Sequence, residues 1–253
     1  MSIAIMQPYV FPYIGYFQLV YAADVFVFYD DVNFINRGWI NRNRILVSGK
    51  DQLFTIPCKE ASQNKLIKDI EVADDLKALQ KVLSTIRMAY AKAPFFNDVF
   101  PVIEQTILEA GQGKGIASSV FPTLTVPAPG PVSIAHMAIS SVLHICAYLG
   151  VERTFRISSE QYDNRELKKA DRLIDICHVE GITHYVNASG GKEIYSKDYY
   201  RERGIQLDFL NADRYEYEQF SNPFVPWLSM IDILMFNGRE DIVNKILPSY
   251  HLD

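Results

Sequence analysis

Met1-Ser2-Ile3-Ala4-Ile5-Met6-Gln7-Pro8-Tyr9-Val10-Phe11-Pro12-Tyr13-Ile14-Gly15 decides the fold class. The first six residues read as a short apolar strand and the next nine as a polar, aromatic loop. A helix is predicted over 16–23, and Val25-Phe26-Val27-Phe28-Tyr29 forms a second apolar strand that stops at Asp30-Asp31. Two strands joined by a helix imply a parallel pair, because a parallel return needs a crossover connection. Ligands of such sheets bind outside the carboxyl ends of the strands. Loops 7–15 and 30–43 both leave from that edge, so the site is expected there.

Downstream, Ile45-Leu46-Val47 and Gln52-Leu53-Phe54-Thr55-Ile56 pair as a hairpin across Ser48-Gly49-Lys50-Asp51, and 67–72 reads as a further short strand. Leu76, Leu79, Leu83, Ile86 and Tyr90 recur at steps of three and four, which predicts a helix from Asp74-Asp75 to about Ala93. A second helix covers about 97–110, and a third runs over 133–149 with Gly150 as its cap. Between them, 122–131 holds four prolines and a glycine, the strongest connector in the chain. The second half alternates. Strands at 154–157, 184–187 and 205–210 are separated by helices at 166–179 and 196–203, and helices at about 226–236 and 240–246 close the chain. This order predicts an α/β fold, a mostly parallel sheet flanked by helices, with a largely helical insertion around residues 74–150. The expected organisation is a single composite α/β domain over 1–253.

The 253 residues are 49% hydrophobic, enough for a sizeable core. A net charge of -5 argues against a broad basic surface, so no DNA partner is expected. Cys58, Cys146 and Cys177 are odd in number and widely spaced, which fits reduced thiols and offers no metal-ligand spacing. No metal site is expected, and nothing in the sequence names a cofactor. Without a signal peptide or a bilayer-length apolar run, the expectation is a cytoplasmic protein with no membrane insertion.

Several groups could carry chemistry. Asp30 and Asp31 follow an apolar strand, and alternation would send them to opposite sides, one of them into the cleft as a base, a metal ligand or an acceptor for a substrate amine or hydroxyl. The competing reading is ordinary turn chemistry at a strand exit. In Arg37-Gly38-Trp39-Ile40-Asn41-Arg42-Asn43-Arg44, arginine forks suit phosphate or carboxylate. Alternation places Trp39, Asn41 and Asn43 on one face, with Arg42 and Arg44 on the other. Asn187, Ser189, Gly190, Gly191 and Lys192 follow a strand and offer backbone amides to an anion, although they match no phosphate-loop spacing. Asn33, Gln7, Tyr9 and Tyr13 complete the expected binding set. Among the five histidines only His136 is kept as a candidate acid or base.

Met6-Gln7-Pro8-Tyr9-Val10-Phe11-Pro12-Tyr13-Ile14-Gly15-Tyr16-Phe17-Gln18-Leu19 and the run from Phe28 to Asn43 resemble the two signatures of the WbqC-like family. Tyr185-Val186-Asn187-Ala188-Ser189-Gly190-Gly191 and the run from Phe220 to Asp232 resemble its later motifs. The resemblance implies a bacterial cytoplasmic enzyme of surface-polysaccharide (O-antigen, lipopolysaccharide) assembly, in pathways of N-acylated amino sugars. The family carries no settled catalytic set, so it implies a pathway rather than a mechanism.

The leading expectation is a transferase that places an acyl or aminoacyl group, such as glycyl, on the amine of a nucleotide-linked amino sugar. Arg37, Arg42 or Lys192 would hold the pyrophosphate, Trp39 or Tyr9 would stack on base or sugar, and Asp31 would take the amine proton. The acyl donor is open between acyl-CoA, ATP with an amino acid, and aminoacyl-tRNA. Alternatives are a nucleotidyl or adenylyl transferase, weakened because Pro12-Tyr13-Ile14-Gly15 lacks the histidines of a HIGH-like motif, and a non-catalytic carbohydrate-binding assembly protein.

Overall fold

β1 (Ser2–Met6) and β2 (Val25–Phe28) pair in parallel, Ile3 with Val25 through Met6 with Phe28, in a computed structural model that describes residues 1–111 and 132–253. α1 (Ile14–Ala22) makes the crossover. β5 (Thr154–Ile157) adds in parallel outside β2; β6 (His184–Ala188) and then β7 (Gln206–Ala212) add in parallel on the other side of β1. The described sheet has the order β5-β2-β1-β6-β7-β8, with β8 (Tyr250–Leu252) antiparallel at the edge. The chain therefore builds outward from β1 in one direction, returns to β1, and builds outward in the other. This is a doubly wound α/β sheet whose switch point lies between β1 and β6.

Continuous apolar strands arise because both faces are covered. Alternate residues of β1 and β2 feed two different cores. Ala4, Phe26 and Phe28 join Phe155 and α1, together with α2 (Leu76–Tyr90), α3 (Phe96–Gly111) and α4 (Ile134–Leu149), while Ile3, Ile5, Val25 and Val27 join Tyr185, Leu207 and Phe209. The second core is closed by Leu173, Ile174 and Cys177 of α6 (Ala170–Val179), with Tyr200 of α7 (Lys197–Arg201), after the short α5 (Ser158–Gln161). α4 is delimited as its sequence predicts: Ser133 Oγ accepts from the His136 amide, and Gly150 ends the helix at φ 72°.

The departures have local causes. The hairpin is longer than expected, β3 (Arg42–Val47) on β4 (Lys50–Thr55), because Ser48 and Gly49 both take positive φ (50° and 76°) and turn the chain in two residues. Residues 67–72 do not form a strand. Ile67–Asp69 is a 3-10 turn, and Glu71 and Val72 make only isolated bridges to Ser133 and Cys58. The helix expected over 166–179 starts only at Ala170, since Lys169 sits at φ 54°. The helix expected from 226 is α8 (Met230–Phe236), because Trp227 is left-handed at φ 59° and Ser229 supplies the cap. Three-residue β8 is too short to announce itself in sequence. The proline-rich connector at 122–131 lies outside the described residues.

Candidate functional site

A cleft of about 360 Å³ opens at the carboxyl ends of β1 and β6, at the switch point, from Met6 and Tyr9 to Ala188 and Gly190. Tyr13, Trp39, Arg44 and Trp227 are its other prominent walls, and Pro12 and Asn43 complete it. Both tryptophans of the chain are there, each 41% exposed although large and apolar. Their exposure inside a concavity is what a ring-binding surface requires.

The first loop is held firmly enough to present its tyrosines. Phe11 takes φ 41°; its amide donates to Ser141 Oγ (2.9 Å) and its carbonyl accepts from Ser229 Oγ (2.6 Å) and Asn43 Nδ2 (2.8 Å). Asn43 also donates to the Val10 carbonyl at 3.2 Å, so this expected ligand group is committed to the backbone beside the cleft. Tyr9 donates to Gln7 Oε1 at 3.3 Å and packs on Tyr16. Burial, with the neighbouring Tyr13, pushes the Tyr9 hydroxyl up to about 12, and burial also raises Tyr13. Both phenols are therefore protonated donors at neutral pH. Tyr13 meets Trp227 edge to face, with centroids 6.2 Å apart.

Arg44 is the cation of this cleft, and reading Trp39 and Arg44 as opposite faces of one strand misplaces it. Strand geometry begins only at Arg42, so alternation does not carry back across residues 39–41 to Trp39. Arg44 lies 5.6 Å from the Trp39 ring centre, donates to Asp51 and to the Trp227 carbonyl (both 3.2 Å), and leaves its buried Nε without a hydrogen-bond partner among the described residues. Trp227 had a sequence signal too, its place in the run from Phe220 to Asp232, but nothing local assigned that run to the cleft.

Other expected binding groups are turned elsewhere. Arg42 donates to the carbonyls of Gly38 and Arg37 and so braces its own loop. Asn41 donates to the Ile56 carbonyl, and Asn187 is buried against Gly191 and accepts from the Ala188 amide. Lys192 reaches Asp253 (2.5 Å) and Asn211 (3.2 Å) instead of the cleft. Arg37 and Ser189 are exposed and line no part of it.

The carboxylates do not alternate. β2 ends at Phe28, the Asp30 amide donates back to the Phe28 carbonyl, and both side chains turn to Ser158. Asp30 also accepts from the Ser159 amide (3.0 Å) and hydroxyl (2.6 Å). Asp31 accepts from Arg172 Nη2 at 2.6 Å, with both side chains almost wholly buried. Arg172 is further fixed by Asn164 (2.9 Å) and lies 4.7 Å from the Tyr29 ring centre. Asp31 and Asn33 thus border a different cavity, between the β2 exit and the segment before α6. His136 lies on the first turn of α4 against Ser133, close enough to Asp30 to feel its charge, and also outside the cleft.

Burial lowers the pKa of His136, opposed by Asp30, and that of His144, opposed by Glu109. The unfolded chain therefore binds these protons more readily than the folded one. Their contribution to stability is complete above about pH 6.5 and is lost as pH falls from there through the folded values. Urea midpoints should thus drop between pH 7.5 and 5.5, and less steeply in a His136→Gln/His144→Gln variant; equal slopes would dismiss both histidines as the source.

Burial raises the three thiols, Cys58 to about 11 and Cys146 and Cys177 to about 12, which leaves none activated. Among the described residues no group of His, Cys, Asp or Glu side chains is placed to hold a metal ion, and no helix is long and apolar enough to cross a membrane.

Comparison with known proteins extends over nearly the whole chain. The Mycobacterium tuberculosis (strain ATCC 25618 / H37Rv) protein described as "Uncharacterized protein Rv1507c" is 26% identical over 243 residues, covering 94% of this chain and 95% of the relative. No solved structure matches. The description of the WbqC-like protein family matches residues 7–244, from the first loop of the cleft past α8. The chain belongs to the WbqC-like protein family.

Proposed function

We propose that the cleft binds a nucleotide-linked amino sugar and that the chain transfers an acyl or aminoacyl group, such as glycyl, to the sugar amine in synthesis of surface-polysaccharide precursors. One observation carries this reading: Tyr9, Tyr13, Trp39 and Trp227 surround a cleft at the switch point with a guanidinium, Arg44, beside them. Aromatic faces suit sugar and base rings, and a guanidinium suits phosphate. The transfer itself is supported by the polysaccharide pathways that the family resemblance implies. Among the described residues the cleft offers two protonated phenols and a cation but no carboxylate. It is therefore suited to positioning an already neutral amine, and positioning can supply much of a rate enhancement.

Because both tryptophans line the cleft, intrinsic fluorescence reads it directly. Titration with a UDP-linked amino sugar should give a saturable change. Arg44→Ala should weaken binding by about 1.5–3 kcal/mol, roughly ten- to a hundredfold. No saturable response to UDP- or dTDP-linked sugars would refute the binding assignment. Failure to form an N-acylated product with any of acyl-CoA, ATP plus glycine, or glycyl-tRNA would refute the reaction.

A further inference from the structure

We propose that the cavity beside the buried Asp31–Arg172 pair is a second ligand site, taking the phosphate-bearing part of the co-substrate that delivers the transferred group. It is an open depression of about 550 Å³, a volume within the range of small-molecule sites. Its walls are the exit of β2, at Tyr29 and Asn33, and the segment leading into α6, at Arg165, Lys168 and Lys169. The Tyr29 amide donates to the Met6 carbonyl, and Met6 borders the aromatic cleft, so the two cavities open from adjacent strands on one edge of the sheet.

The charge of this cavity runs against that of the chain. Among the described residues four cations line it against two carboxylates, Asp31 and Glu166, while the whole protein carries -5. Arg172 is matched by Asp31, but Arg165, Lys168 and Lys169 have no carboxylate within 4.0 Å among the described residues. Lys59, Lys65, Lys192 and Lys245 each have one within 3.2 Å, and what sets Arg165, Lys168 and Lys169 apart from other unpaired cations is that all three line one depression. Three unmatched cations within five residues of sequence, facing a concave space, fit a ligand carrying two or more negative charges. The buried pair beneath them gives this wall a fixed floor, with Arg172 locked by Asn164 and packed on Tyr29.

That the ligand is a co-substrate rests on the transferase reading above; the preference for a polyanion does not. In the reaction, the amine nitrogen bonds to the acyl carbon while an acyl–sulfur or acyl–phosphate bond breaks. The amine proton is released with the departing thiol or AMP. The adenylate forms first, when a carboxylate oxygen bonds to the α-phosphorus of ATP, the α–β phosphoanhydride bond breaks and pyrophosphate leaves. A CoA thioester and an adenylate therefore both balance. CoA presents a diphosphate and a 3′-phosphate, and ATP presents a triphosphate before pyrophosphate leaves.

The test is equilibrium binding of CoA and of ATP, each to the intact protein and to Lys168→Glu/Lys169→Glu, with Lys168→Gln/Lys169→Gln as a milder pair. These side chains are exposed, so melting temperatures should stay unchanged. Wild-type protein should bind one of the two probes, more weakly as salt rises. Charge reversal should weaken that binding at least tenfold, and the glutamine pair by less. Binding of CoA alone identifies a thioester donor, and binding of ATP alone an adenylate. The proposal is overturned if neither probe binds at millimolar concentration, or if charge reversal leaves affinity unchanged. Nucleotide-sugar fluorescence separates the two readings: a silent aromatic cleft together with charge-sensitive CoA or ATP binding would remove the cleft assignment and leave the polyanion site standing.

Discussion

Asp31→Ala is expected to lower the unfolding free energy by about 3–5 kcal/mol, because it strands the Arg172 guanidinium in a site almost closed to water. Arg172→Ala should cost a similar amount, through the carboxylate left behind. Replacing both together by apolar side chains, Asp31→Leu with Arg172→Met, should recover much of the loss, since a buried pair yields little net stability over a well-packed apolar one. Urea denaturation of the two single variants and the double variant gives the comparison. Single variants within 1 kcal/mol of wild type would show that water reaches the pair freely. The sequence motivates a different outcome, an Asp31→Asn enzyme with its fold intact and its turnover reduced by about 10²–10⁴. The geometry moves the main expected effect from turnover to stability, because Ser158 and Arg172 already engage the two carboxylate oxygens.

Asp232→Ala should be at least as damaging, at about 3 kcal/mol or more from three lost hydrogen bonds. Asp232 is wholly buried and accepts from Tyr90 Oη (2.7 Å), Tyr217 Oη (2.6 Å) and Gln219 Nε2 (2.6 Å). Burial raises its pKa, and these three donors offset only part of that rise. Tyr90 Oη in turn accepts from the Leu46 amide, so one carboxylate joins α8, α2 and the hairpin. Alanine leaves the Tyr90 and Tyr217 hydroxyls without this acceptor and Gln219 Nε2 with the Val225 carbonyl (3.2 Å), each lost bond costing about 1–3 kcal/mol. Asp232→Asn should also fail to rescue stability, since its amide places a fourth donor among three. Trp227 lies five residues before Asp232, so a loosened junction should also change tryptophan emission before global unfolding. An unchanged urea midpoint in Asp232→Ala would show that the network is dispensable.

The sequence by itself determined the elements whose causes are local. Apolar runs mark β1, β2, β5, β6 and β7, and Ser133 and Gly150 fix both ends of α4, because burial on both faces and capping act over a few residues. It also placed Tyr9, Tyr13, Trp39 and Gly190 in loops leaving the carboxyl edge, which follows from strand direction alone. Only the tertiary structure decided the strand order, and with it the switch point between β1 and β6. It alone paired Asp31 with Arg172, 141 residues away, and joined Arg44 to the Trp227 carbonyl across 183 residues. Those contacts also determine where the intervening side chains point: once strand geometry stops at Phe28 and resumes only at Arg42, alternation no longer constrains direction. Periodicity records what lies above and below a residue in its own element. Which distant group satisfies a buried charge is set by how the elements pack.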